Sequence, residues 1–160
     1  MPERRPAVPG LYSIDDGDSP PLEGRRCLDC GYLFFPPHGF GCEACGAPPE
    51  RVERAALEGA GVLRSLAVVH RHGGGGIEAP FTVGEIALDA GPMVRAVLTG
   101  SEPLAIGDRV RSVLCAVTAP AGGRGDDRGL WSRTVNAEAG GGAGEEAVEK
   151  VELRFEKARR

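Results

Sequence analysis

Gly59-Ala60-Gly61-Val62-Leu63-Arg64-Ser65-Leu66-Ala67-Val68-Val69-His70 opens the stretch whose reading decides the fold. After Gly73-Gly74-Gly75-Gly76 it continues as Phe81-Thr82-Val83-Gly84-Glu85-Ile86-Ala87-Leu88-Asp89. Val62, Leu63, Leu66, Val68 and Val69 populate the first run, Phe81, Val83, Ile86 and Leu88 the second. Such short apolar runs bounded by glycine and proline read as strands. Ala90-Gly91-Pro92 is a turn signal, and Met93 to Thr99 is the return leg of a hairpin. Two further runs follow downstream. Arg109 to Thr118 carries Val110, Val113, Leu114 and Val117. Val148 to Phe155 alternates Val151, Leu153 and Phe155 on one face with Lys150, Glu152 and Arg154 on the other, the period of two that a half-buried strand requires. Five β runs at short spacing, with no 3.6-residue stripe, predict a small barrel, whose closure hides strand edges. Residues 119–144, rich in glycine, are expected to form a long loop before the last strand.

Upstream of the barrel, Pro49 to Glu58 is expected to be a strand leading into it. Before that lies the cysteine module, Cys27-Leu28-Asp29-Cys30-Gly31 and Cys42-Glu43-Ala44-Cys45-Gly46, two copies of Cys-x-x-Cys-Gly with eleven residues between the pairs. Two residues between thiolates let both sulfurs reach one ion from one tight turn, and the following glycine is free to adopt positive φ. Four thiolates around Zn²⁺ make a closed tetrahedral site with no position for substrate, a structural site. Two disulfides and a rubredoxin-like iron are the alternatives. Between the pairs stand Tyr32, Phe34, Phe35, Pro36, Pro37, His38 and Phe40, which read either as a mini-core under the ion or as an apolar face for another protein.

Residues 1–26 hold Pro2, Pro6, Pro9, Pro20 and Pro21 and read as an extended arm with little regular structure. The domain plan is therefore an arm at 1–26, a zinc ribbon at 27–48 and a barrel at 49–160.

The chain has 160 residues, with 19 Lys and Arg against 23 Asp and Glu, a net charge of −4 that excludes a globally basic nucleic-acid coat. No Lys or Arg lies between Cys27 and Cys45, which makes the ribbon a poor phosphate binder. There is no apolar run of membrane-spanning length and no apolar segment following Met1-Pro2-Glu3-Arg4-Arg5-Pro6, so a cytoplasmic location is expected. Cys115 is expected to be a buried small hydrophobe, His70 and His72 to face solvent, and Trp131 to fold back on the barrel or anchor a partner. No Ser–His–Asp or Cys–His set, open metal site or acid/base pair is discernible, so no catalytic residue is assigned.

The run Cys-x-x-Cys-Gly-x-x-x-Phe-Pro-Pro from Cys27 to Pro37, the second knuckle to Gly46, Gly59-Ala60-Gly61-Val62-Leu63, and Ile106-Gly107-Asp108-Arg109-Val110 together resemble the zinc-ribbon/OB-fold proteins of acyl-CoA metabolism. That thiolase-associated family was long catalogued as a domain of unknown function. The resemblance covers about residues 22–118 and the last strand. It implies a mainly β chain, a rubredoxin-like zinc ribbon followed by a five-stranded OB-type barrel. It implies one structural Zn²⁺ on Cys27, Cys30, Cys42 and Cys45. It also implies a non-catalytic accessory subunit in a hetero-oligomer with a thiolase-superfamily enzyme (thiolase, acyltransferase or retro-aldol lyase), in lipid or aromatic degradation. Arg64, His70 and Arg71 are then candidates for contact with CoA phosphates. The arm is shorter than the family's helical lead-in, and the 119–144 loop longer. A single-stranded nucleic-acid module is the alternative function and a rubredoxin-like electron carrier a third. The first requires stacking aromatics, and from Gly59 onward there are only Phe81, Trp131 and Phe155.

Overall fold

The computed structural model describes residues 3–14, 17, 19–73, 77–117 and 149–158. Its strands are β1 (Arg4–Pro6), β2 (Leu22–Cys27), β3 (Leu33–Phe34), β4 (Val52–Leu57), β5 (Ala60–Val69), β6 (Phe81–Leu88), β7 (Met93–Leu98), β8 (Arg109–Ala116) and β9 (Glu149–Lys157). A 3-10 turn at Pro49–Arg51 precedes β4, and there is no α-helix among the described residues. The loop expected at 119–144, Trp131 and Gly74 to Gly76 lie outside the described residues.

All five expected barrel strands form. β5, β6 and β7 make an antiparallel meander, β8 and β9 an antiparallel pair. Two contacts close the ring. β5 pairs with β8 at Ala60, Gly61 and Val62, and β7 meets β9 in parallel at Leu98 and Phe155. The strand order around the ring is thus β5-β6-β7-β9-β8, the closed five-stranded OB arrangement. A bulge between Leu63 and Ser65 bends β5, as a small closed barrel demands. Opposite that bend stands Gly84, where a Cβ would lie 2.6 Å from Leu63 Cδ1 and 3.1 Å from the Ser65 carbonyl. Only glycine lets the two strands approach this closely.

Inside are Leu63, Ile86, Leu88, Val94, Leu98, Val110 and Phe155. Phe155 has no exposed surface, and burying such a side chain is worth about 1.5–3 kcal/mol. The alternation read in β9 holds, with Val151 and Phe155 buried and Leu153 half-buried on the inner face. Cys115 departs from expectation. It is half-buried rather than buried, because β8 extends past its pairing with β5 and leaves that part of the barrel wall less covered.

A second sheet, in the order β3-β2-β4, stands before the barrel. Its Leu22 and Leu57 face each other across the ladder and belong to the barrel's own apolar cluster, with Leu33, Phe35 and Ala55 packed alongside. The two sheets therefore share one core. The arm also carries more structure than expected. β2 crosses the arm–ribbon boundary placed at residue 26, and β1 pairs in parallel with β9. Tyr12 is buried and donates its hydroxyl hydrogen bond to the Val151 carbonyl at 2.7 Å. Ser112 has no exposed surface. It donates to the Pro20 carbonyl at 2.7 Å and lies 2.9 Å from Ser19 Oγ. These polar contacts bolt the arm to the barrel.

Candidate metal centre

The two knuckles are near copies of one another. The Gly31 N–H donates to the Cys27 carbonyl and the Gly46 N–H to the Cys42 carbonyl, both at 2.9 Å. Cys27 and Cys42 donate their own N–H groups to the carbonyls of Tyr32 and Ala47, at 2.9 and 2.8 Å. Both glycines sit in the left-handed region, with φ of 74° and 76°. A side chain there would be strained, which is the physical reason for the Gly that ends each motif. The first knuckle caps β2. The second is carried back to the sheet by the 3-10 turn, where the Leu28 N–H donates to the Arg51 carbonyl at 2.8 Å and Arg51 Nε to Asp29 at 2.8 Å.

This geometry brings Cys27, Cys30, Cys42 and Cys45 together, with all four sulfurs within 4.8 Å of one another. Cys27 and Cys45 are 3.6 Å apart at sulfur, as are Cys30 and Cys42. A tetrahedron with metal–sulfur bonds of about 2.3 Å has edges of about 3.8 Å, so the cluster fits a tetrathiolate ion. A disulfide needs about 2.05 Å, so the cysteines are unpaired thiols and that alternative fails. Cys27 and Cys42 are buried against Ala47 and Val52, while Cys30 and Cys45 lie at the surface. The four sulfurs are enough ligands to complete a tetrahedral set.

Its electrostatics ask for a cation. The backbone N–H of Cys30 points at the Cys27 sulfur and holds that thiol down to about 7. Cys45 is pushed up to about 12. The Ala47 N–H pulls it down, but the sulfur of Cys30, burial and the sulfurs of Cys27 and Cys42 together outweigh that. Four thiolates at this spacing repel, and a divalent ion is what lets them ionise together. No other group of His, Cys, Asp or Glu among the described residues is arranged to hold a metal.

The aromatic strip between the knuckles divides. Phe34 is buried and stacks on His38 at 4.6 Å between centroids, and Phe35 packs on the barrel core. Tyr32 is 41% exposed and Phe40 86%, with Leu28 beside them at 47%. The strip is thus part mini-core and part exposed apolar surface. Elsewhere, His70, Arg71 and His72 lie exposed beyond the end of β5, and Arg64 is exposed at its bulge, so among the described residues they form no enclosed site. Sequence reasoning missed Arg25 and Arg54, which meet only through the β2–β4 register, and Ser112, which looks like any polar strand residue.

No helix among the described residues is long and apolar enough to cross a membrane. Comparison with known proteins adds the following. Residues 55–114 match the family model described as the ChsH2 C-terminal OB-fold domain. No curated protein matches the chain significantly. Among solved structures, a chain of the "Ltp2-ChsH2(DUF35) aldolase" superposes with a TM-score of 0.55 at 22% identity, covering 86% of this chain and 84% of that one. Such a likeness reaches well beyond the barrel into the preceding sheet, and it concerns the fold. Over residues 55–114 the chain is similar to that OB-fold domain family, in agreement with the resemblance read in the sequence.

Proposed function

We propose that this protein is a non-catalytic, zinc-binding accessory subunit of a thiolase-superfamily enzyme that acts on acyl-CoA substrates in the cytoplasm. One structural Zn²⁺ per chain sits on Cys27, Cys30, Cys42 and Cys45, where it neutralises the thiolates and ties the two knuckles together. The observation that carries this reading is the four-sulfur cluster mounted on the small sheet that packs against an OB barrel. A solved structure alike in fold over 86% of this chain carries the printed title "Ltp2-ChsH2(DUF35) aldolase", which supports the reading. The exposed Leu28, Tyr32 and Phe40 around the cluster supply the apolar surface that a subunit interface uses at its centre. The arm at 1–26, the ribbon at 27–48 and the barrel at 49–160 act as one docking unit, since the first two share the barrel's core. No acid/base pair is discernible among the described residues, and on this reading the reacting groups belong to the partner.

The test is affinity purification of the tagged chain from its native cell, with metal analysis of the product. The expected result is a stoichiometric thiolase-like protein and one zinc per chain, with the pair lost on Phe40→Asp. Recovery of background proteins alone, or full activity of the partner without this chain, overturns the proposal. Micromolar, salt-dependent binding to single-stranded oligonucleotides would replace it with a nucleic-acid role.

A further inference from the structure

Arg51, Arg95, Arg109, Arg111 and Arg154 each pair with a carboxylate. Arg25 and Arg54 differ. They stand directly opposite each other across the β2–β4 ladder, so both side chains leave the same face of the sheet. Among the described residues neither donates a side-chain hydrogen bond, to a carboxylate or to a cysteine sulfur. Like charges in directly opposed positions are destabilising unless something neutralises them. Among the described residues Arg26, Arg64 and Arg71 also lack a carboxylate partner; they are exposed, as is Arg54, but line no cleft with a second arginine. Arg25 is half-buried, and with Arg54 it lines a cleft of about 530 Å³.

That cleft lies between the sheet, the arm at Pro9 and Gly10, and the ribbon loop at Pro37 and His38. Its volume is in the range of small-molecule sites. Both walls are fixed. The hydroxyl of Tyr12 ties the arm to β9, and His38 is stacked on Phe34, the other cross-strand neighbour of Arg25. Glu23 is the one carboxylate in the lining, and its Oε1 accepts a hydrogen bond from Ser13 at 2.8 Å. Among the described lining residues, two guanidinium groups against one carboxylate leave a net positive charge facing the cleft.

We propose that this cleft is a binding site for an oxyanion, the phosphate or carboxylate group of a small organic molecule, gripped between the guanidinium forks of Arg25 and Arg54. Guanidinium presents paired donors that match both groups. Bridging by the anion relieves the like-charge repulsion that direct opposition imposes on the pair. The inference stands on this sheet alone and needs no partner subunit.

The test is calorimetric titration of the full chain with inorganic pyrophosphate and, separately, with citrate, against sodium chloride at equal ionic strength. Saturable binding in either arm is expected, and the arm that binds names the source, phosphate or carboxylate. Arg25→Ala and Arg54→Thr should each weaken it at least tenfold, and Arg64→Ala should leave it unchanged. Arg54→Thr should also raise the melting temperature by about 1–4 °C in chloride, since it removes the like-charge contact, while abolishing the anion's stabilising effect. No binding above the chloride control in either arm, unchanged affinity in both arginine variants, or a lower melting temperature for Arg54→Thr would overturn the proposal.

Discussion

The ribbon and the barrel solve the same problem by opposite means. The barrel surrounds Phe155, Ile86, Leu63 and Val110 with strands on every side, and its order rests on apolar burial and a continuous hydrogen-bonded ring. The knuckles bury only Cys27, Cys42 and Ala47 as a cluster of their own. Some twenty residues cannot offset their conformational entropy with so little apolar area. What holds them is four sulfurs at ligand spacing, plus one edge of shared core through Leu22 and Leu57. One region is specified by shape, the other by coordination chemistry.

Breaking the ribbon at its cluster should have the largest effect. Chelation, or Cys42→Ser, removes an interaction worth about 10–16 kcal/mol in small zinc modules. Circular dichroism and amide exchange should show the knuckles opening while β5 to β9 stay protected. Loss of protection in both regions together would show that the shared core makes them one cooperative unit. Acid gives the same contrast on one axis. Protons compete for the thiolates, so metal is released as pH falls. In the barrel, Arg95 holds Glu85 below the usual carboxylate range and Arg109 does the same for Asp89. Those pairs stabilise above the carboxylates' unfolded values and fade only as pH falls through the depressed ones. Metal release, followed with a chromogenic chelator, should therefore precede barrel unfolding.

Phe155→Ala strikes the other side of the comparison. It empties the centre of the barrel and should cost about 3–5 kcal/mol, read as a lower denaturant midpoint. Bound metal should be retained as long as the barrel stays folded. Ser112→Ala removes the polar bolt between arm and barrel and leaves the Pro20 carbonyl without its donor, at about 1–3 kcal/mol. Amide exchange should show the loss concentrated around Ser19 to Gly59. The smallest effect is expected for Arg109→Ala. Its pairing with Asp89 is an exposed rim contact, screened by water and salt, and the melting temperature should not move measurably.

The parts that were legible in the sequence share a feature, a local repeat that survives folding. β9 could be read from Val151, Leu153 and Phe155, because period two is a property of the strand itself. The metal centre could be read from two knuckles of fixed spacing, because each pair acts within five residues. β2 was not visible. Its sequence Leu22-Glu23-Gly24-Arg25-Arg26-Cys27 buries a leucine, a glycine and a cysteine, and only Leu22 looks apolar. Gly24 is small because Leu57 fills the space above it, a contact set by a partner strand more than thirty residues away. With β2 unseen, the Arg25–Arg54 register was out of reach. Ser112 was missed for the same reason, since its partners Ser19 and Pro20 come from the arm.

β9 has one more implication, for the order in which the molecule is made. It alone touches β1, β7 and β8, so it locks the ring. The roughly 100 residues between Leu57 and Phe155 take about 5–20 s to synthesise. During that time β2, β3, β4 and the knuckles leave the ribosome before the barrel is complete, and their four sulfurs all lie within the first 45 residues. The barrel strands must meanwhile wait with unsealed edges. A nascent chain would thus acquire its metal first and its seam last, with Leu22 and Leu57 uncovered until the barrel strands pack against them.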